Sequence, residues 1–155
     1  MLNRLLAVPA AIVLAQGLAT GSAAQERDDL VTYTTEAPFE DVIFALENAI
    51  INEGLVVEGT SKVGEMLART GPDVGSDVKV FENAQVFSFC SAVISRQVME
   101  ADPANVSFCP YDVFAYQLPD AQEVIVGFRR FLEGPMQAVQ ELLDRIAQEA
   151  ASGGF

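Results

Sequence analysis

The chain of 155 residues carries 22 acidic against 9 basic side chains, a formal charge of −13, with no histidine and two cysteines. That balance disfavours nucleic acid and anionic membrane surfaces as partners. Without imidazole there is no histidine general base, haem ligand or metal ligand, so any catalysis would rest on carboxylates, Cys, Tyr, Lys or Arg.

The opening residues, MLNRLLAVPAAIVLAQGLATGSAA, run from one basic side chain, Arg4, through an apolar stretch to small residues, with Ser22 and Ala24 placed as before a cleavage site. This predicts a secretory signal peptide over residues 1–24. Its apolar core, Leu5 to Leu14, is interrupted by Pro9 and falls short of the roughly 20 residues a membrane span needs. Removal leaves residues 25–155, about 130 residues, enough for one domain with a real core. The mature protein is then expected in the periplasm or outside the cell, with no membrane attachment.

After the acidic leader QERDD, the run LVTYTT at Leu30–Thr35 has the β-branched and aromatic content of a first strand. In PFEDVIFALENAIINEG, Pro38 suits a first helical turn and Glu40 and Asp41 complement its dipole. Phe39, Val42, Ile43, Leu46, Ala49 and Ile50 recur at three- and four-residue steps, which predicts an amphipathic helix over 38–53 with Gly54 as its left-handed cap. LVVEGTS, Leu55–Ser61, reads as a second strand and KVGEMLART as a short helix weakened by Gly64. TGPDVGSD lacks both the spacing and the lysine of a phosphate-binding loop and reads as a turn-rich loop. A longer β region is expected from Val78 to Cys90, with a break near Glu82 to Ala84. Ser91 then stands at a cap position, and the stripe Ile94, Val98, Ala101 ends before Asp102–Pro103.

YDVFAYQL and EVIVGFRRF flank PDAQ, which has turn composition, so they are expected to form a hairpin. With Pro119 to Gln122 as the loop, Phe114 lies opposite Gly127 and Asp112 opposite Arg129, a ring over a glycine and a pair of opposite charges. The last helix, over about 135–150, places Met136, Val139, Leu142, Leu143, Ile146 and Ala150 on one broad face, with Glu141 and Arg145 as an i,i+4 pair on another. These elements predict a single α+β domain with a mostly antiparallel sheet and two principal helices on one face.

Both faces of the late strands are apolar: Phe114 and Tyr116 on one, Val113 and Ala115 on the other. Such a sheet needs two covers. The helices 38–53 and 135–150 supply one; the other falls to the middle helix, to a second copy in a homodimer, or to an apolar ligand.

The segment FSFCSAVISRQVMEADPANVSFCPYDVFAYQL, the later EVIVGFRR, and the upstream helix with its GLVV exit resemble the family known as domain of unknown function 302. The resemblance rests on a strand ending in a cysteine-serine step, a DP closing the helix, a CPY opening the next strand and a final strand ending in RR, and it covers roughly Thr32 to Phe131. It implies a TATA-binding-protein-like arrangement of sheet and helices and a tendency to form homodimers. Secreted members with this cysteine pair look like periplasmic proteins. No catalytic residue comes with the resemblance.

Three chemistries compete for Cys90 and Cys109. An oxidising compartment and an even count favour a disulfide, worth about 3 kcal/mol for a loop of this length in the chain-entropy model. A labile redox pair would need a positive neighbour, and only Arg96 is close in sequence. A soft-metal site for copper would use the two thiols with Met99. The second candidate site is polar: Tyr111, Asp112, Arg129 and Arg130, with Ser91, Ser95 and Arg96 near. It is either an ordinary Asp112–Arg129 bridge with solvated neighbours or an anion site, although adjacent Arg129 and Arg130 should point to opposite faces.

The carboxylate pairs Asp28/Asp29 and Glu40/Asp41 reflect an acidic composition rather than a catalytic dyad. The expectation is a noncatalytic, disulfide-stapled binding module for a small molecule or protein, with no cofactor. The alternative is a thiol-based redox or copper-handling protein.

Overall fold

Five strands form one antiparallel sheet in the order β1-β5-β4-β3-β2, with β1 at Leu30–Thr35, β2 at Val57–Ser61, β3 at Asn83–Phe89, β4 at Tyr111–Gln117 and β5 at Val124–Arg129. The structure is a computed structural model and describes residues 27–131 and 133–153; the expected signal peptide lies outside the described residues. The β4–β5 hairpin has the register read from the sequence, with Phe114 opposite Gly127 and Val113 opposite Phe128. Its turn is closed by Ala121 N–H donating to the Leu118 carbonyl at 3.2 Å, with Asp120 at φ 63°; Asp tolerates that left-handed conformation better than most residues.

Strand alternation sorts the side chains. Val31, Phe87, Phe89, Tyr111, Val113, Ala115, Val124, Val126 and Phe128 share one face and one core. Four helices accompany the sheet: α1 at Phe39–Asn52, α2 at Val63–Thr70, α3 at Ala92–Ala101 and α4 at Gln137–Ala151. The core face receives α1 and α4, which pack on each other and on the sheet. Val42, Leu46, Ala49 and Ile50 of α1 meet Val139, Leu142, Leu143, Ile146 and Ala150 of α4 in this core, all buried. Each large aliphatic side chain so buried contributes about 1.5–3 kcal/mol. Gly54, at φ 76°, takes the left-handed position that ends α1. The α+β class and the two principal helices are as the sequence implies.

Three local expectations change. Residues 78–82 are not strand, because β4 stops at Gln117; Glu82 N–H donates to the Gln117 carbonyl at 2.9 Å, and no strand continues alongside the residues before it. Arg145 does not pair with the Glu141 carboxylate. Its Nε and Nη2 donate to Glu53 Oε1 and Oε2 at 2.8 and 2.9 Å, locking α4 to the end of α1, and Nη1 reaches only the Glu141 carbonyl. The middle helix, α3, does not cover the second sheet face. It contacts α4, and its Val98 lies in the same core, so it joins the helical side.

No helix among the described residues is long and apolar enough to cross a membrane.

Candidate functional site: a groove on the open sheet face

The face turned away from α1 and α4 carries Leu30, Thr32 and Thr34 of β1, Ile125, Gly127 and Arg129 of β5, Asp112, Phe114 and Tyr116 of β4, and Ala84, Val86 and Ser88 of β3. A row of rings crosses it. Phe81 packs on Tyr116 with centroids 5.6 Å apart, and Tyr116 stacks on Phe114 at 6.0 Å. Burial pushes the Tyr116 hydroxyl above its ordinary range, with Arg27 pulling weakly the other way. Phe114 and Tyr116 both remain partly exposed.

At the Phe114 end the face sinks into a groove of about 280 Å³ between Leu30, Val86, Phe108, Pro110, Tyr111, Asp112, Phe114, Arg129 and Phe131. Phe108 comes from the 3-10 turn Pro103–Phe108 and Phe131 from the chain just beyond β5; their rings meet edge to face, centroids 5.5 Å apart. A second cavity, about 330 Å³, lies behind the same two rings and is lined by Asn105, Arg130 and Met136 among others.

The disulfide sets the groove's outer wall. Cys90, at the end of β3, is bonded to Cys109, which stands between Phe108 and Pro110. The Cα atoms are 6.5 Å apart, so two groove residues flank a covalent anchor to the sheet. The peptide bond between Cys109 and Pro110 is cis.

The polar candidates separate into two groups. Asp112 and Arg129 both line the groove. They do not form the expected cross-strand bridge: Asp112 Oδ1 accepts from Ser88 Oγ at 2.6 Å, and the Arg129 guanidinium has no hydrogen-bond or ion-pair partner among the described residues. Arg129 does act through space on Asp29, whose carboxyl is held below its ordinary range first by a hydrogen bond from Arg27 and to a smaller extent by Arg129.

The remaining candidates have their side chains engaged elsewhere, although Tyr111 also borders the groove. Tyr111 is 1% exposed, and its hydroxyl lies 3.0 Å from Ser95 Oγ on the helical side, because neighbours on a strand point to opposite faces. Ser91 is buried and caps α3 by accepting from Ile94 N–H. Arg96 is exposed and pairs with Glu100, and Met99 packs against the core.

Arg130 has a separate task at the sheet's edge. Its N–H donates to the Asp29 carbonyl at 2.8 Å, which therefore faces β5. The carbonyls of Asp28 and Leu30, one residue to either side, face outward, and the Arg130 Nε and Nη2 donate to them at 2.8 and 3.1 Å. Arg129 and Arg130 thus diverge, one to the groove and one round the rim of β1.

Sequence reading missed Phe108, Phe131, Val86 and Leu30 as groove residues and Ser88 as the partner of Asp112. The two phenylalanines sit in irregular segments where no periodicity marks a face, and Ser88 reaches Asp112 only through the β3–β4 pairing that follows a long crossover. The polar cluster that fastens β1 to α4 was also missed. Tyr33 donates to Asp144 Oδ1, while Gln148 Nε2 donates to both the Tyr33 hydroxyl and Asp144. Burial first, and Asp144 second, push the Tyr33 hydroxyl above its ordinary range.

Among the described residues no group of three or more Cys, Asp or Glu side chains is placed to hold a metal ion. Both cysteine sulfurs are in the disulfide, so neither is a thiolate ligand while it stands.

No curated protein matches the chain. A solved structure from Bacillus stearothermophilus, an uncharacterized conserved protein DUF302, superposes with a TM-score of 0.59 at 20% identity, over 82% of this chain and 96% of that one. That likeness shows a shared fold. The family model for Domain of unknown function DUF302 matches residues 31–153, from β1 through the whole of α4 and so beyond the segment whose motifs carry the resemblance. With nearly all of the described fold inside that match, the chain belongs to the DUF302 family.

Proposed function

We propose that this protein is a noncatalytic binding module, exported to an oxidising compartment, whose open-face groove takes a small molecule. One observation carries the reading. In a groove walled by Leu30, Val86, Phe108, Phe114 and Phe131, the guanidinium of Arg129 stands without an ion-pair partner among the described residues, while Asp112, which lines the same groove, accepts from Ser88. Apolar walls with few charged groups are the general composition of small-molecule sites, and about 280 Å³ lies just under the usual lower bound of about 300 Å³. Export is supported by the leader pattern together with the Cys90–Cys109 bond. The test is a thermal-shift screen of small apolar-bodied molecules against protein purified without reductant. Hits should lose their effect in Phe108→Ser and Phe114→Ala variants that still fold; hits indifferent to both substitutions would reject the groove.

A second reading concerns the other end of the face, where Phe81 and Tyr116 stay partly exposed. A second copy of the chain seated there would complete the cover the sheet needs, as a homodimer. Sedimentation equilibrium of wild type and Tyr116→Glu tests it: a dimer that becomes a monomer supports the interface, and a wild-type monomer at all concentrations rejects it.

A further inference from the structure

We infer that the ligand of the groove is a small zwitterion with an apolar body, of the class of a free α-amino acid with a large side chain; the inference rests on the groove being the binding site. Asp112 precedes Val113 and Arg129 follows Phe128, the outermost register pair of the hairpin, so the two lie on the same sheet face. Opposite charges so placed ordinarily satisfy each other. Here Asp112 Oδ1 accepts from the Ser88 hydroxyl at 2.6 Å, and the five guanidinium N–H donors of Arg129 make no hydrogen bond to described residues.

The groove therefore offers a cation and an anion on one sheet face, with Val86, Phe114 and Leu30 beside them. A simple anion would meet Asp112 and the field of a chain with net charge −13. A simple cation would meet Arg129. A molecule carrying both charges satisfies both groups: its carboxylate meets the planar fork of Arg129, its ammonium meets Asp112 Oδ2, which accepts from none of the described residues, and its apolar part lies against the rings. Being neutral overall, it is not repelled by the protein's charge. The small volume suits a single residue rather than a peptide.

The test is calorimetric titration of the full mature protein with L-phenylalanine and L-leucine, and with two analogues that each lack one charge, phenethylamine and 3-phenylpropionate. The amino acids should bind, and each analogue should bind at least about tenfold more weakly, since one charge-assisted contact is lost. Arg129→Gln should remove the preference for L-phenylalanine over phenethylamine, and Asp112→Asn the preference over 3-phenylpropionate, with circular dichroism confirming that both variants fold. Equal binding of all three phenyl compounds, still lost in Phe108→Ser, overturns the zwitterion and leaves the groove standing. Binding unaffected by Phe108→Ser overturns both readings. No binding of either amino acid at millimolar concentration also overturns the zwitterion.

Discussion

The ring of Phe114 lies across Gly127: a β-carbon at Gly127 would stand 2.9 Å from Phe114 Cζ and 2.5 Å from the Val31 carbonyl oxygen. Gly127 thus lets β1 and the ring close in from two sides, and the ring it seats is a wall of the groove. Gly127→Ala should cost about 1–3 kcal/mol, the usual range for overpacking a tight site. Thermal denaturation reads it directly; an unchanged midpoint would mean that the ring and strand yield without cost.

The Cys90–Cys109 bond should act as a staple for the groove wall. Replacing both cysteines by alanine is expected to lower stability by about 3 kcal/mol in the chain-entropy model. Ligand affinity should fall further than stability alone explains, because Phe108 and Pro110 flank Cys109. Thiol titration of native protein decides between staple and redox pair. A bond that resists mild reductant supports the first; ready cycling with no loss of folding supports the second.

Arg130 should guard an edge strand. β1 is uncharged from Leu30 to Thr35 and is the outermost strand on its side, the kind of edge that recruits other chains. Arg130→Ala frees two outward carbonyls and is expected to increase self-association and speed amide exchange in β1. Light scattering with hydrogen exchange checks this, and Arg130→Lys, which cannot fork to both oxygens, should rescue only in part.

Acid sensitivity should trace in part to Glu53. Hydrogen bonding from Arg145 holds the Glu53 carboxyl below its ordinary value, against the opposing effect of burial. A carboxylate with a depressed folded-state pKa adds stability above its unfolded value, and that contribution fades as pH falls through the folded value. Arg145 is more than half exposed, so solvent screening limits the pair to about 1 kcal/mol. Urea midpoints from about pH 3 to about pH 7 should converge for wild type and Glu53→Gln at the acid end and separate toward neutrality.

Local signals made most of the fold legible and little of the site. The hairpin register followed from one turn and two alternating strands, which is why Phe114 opposite Gly127 could be read in advance. The bridge from Asp112 to Arg129 could not be decided that way. Same-face placement was right, but the choice of Ser88 as partner depends on a strand brought in after the α3 crossover. Arg145 shows the same limit: helical spacing offered Glu141, whereas the packing of α4 on α1 presented Glu53. Val78 to Phe81 has strand composition but lies past the end of its neighbour, and composition carries no information about where a partner stops. The groove's phenylalanines, from a 3-10 turn and a strand exit, had no period to reveal them.

Chemical-shift mapping by NMR, with protein purified without reductant and L-phenylalanine as probe, tests the groove most directly. Concentration-dependent shifts confined to Leu30, Val86, Phe108, Asp112, Phe114, Arg129 and Phe131 are the expected result. Saturable shifts centred elsewhere, or none at millimolar probe, would contradict it.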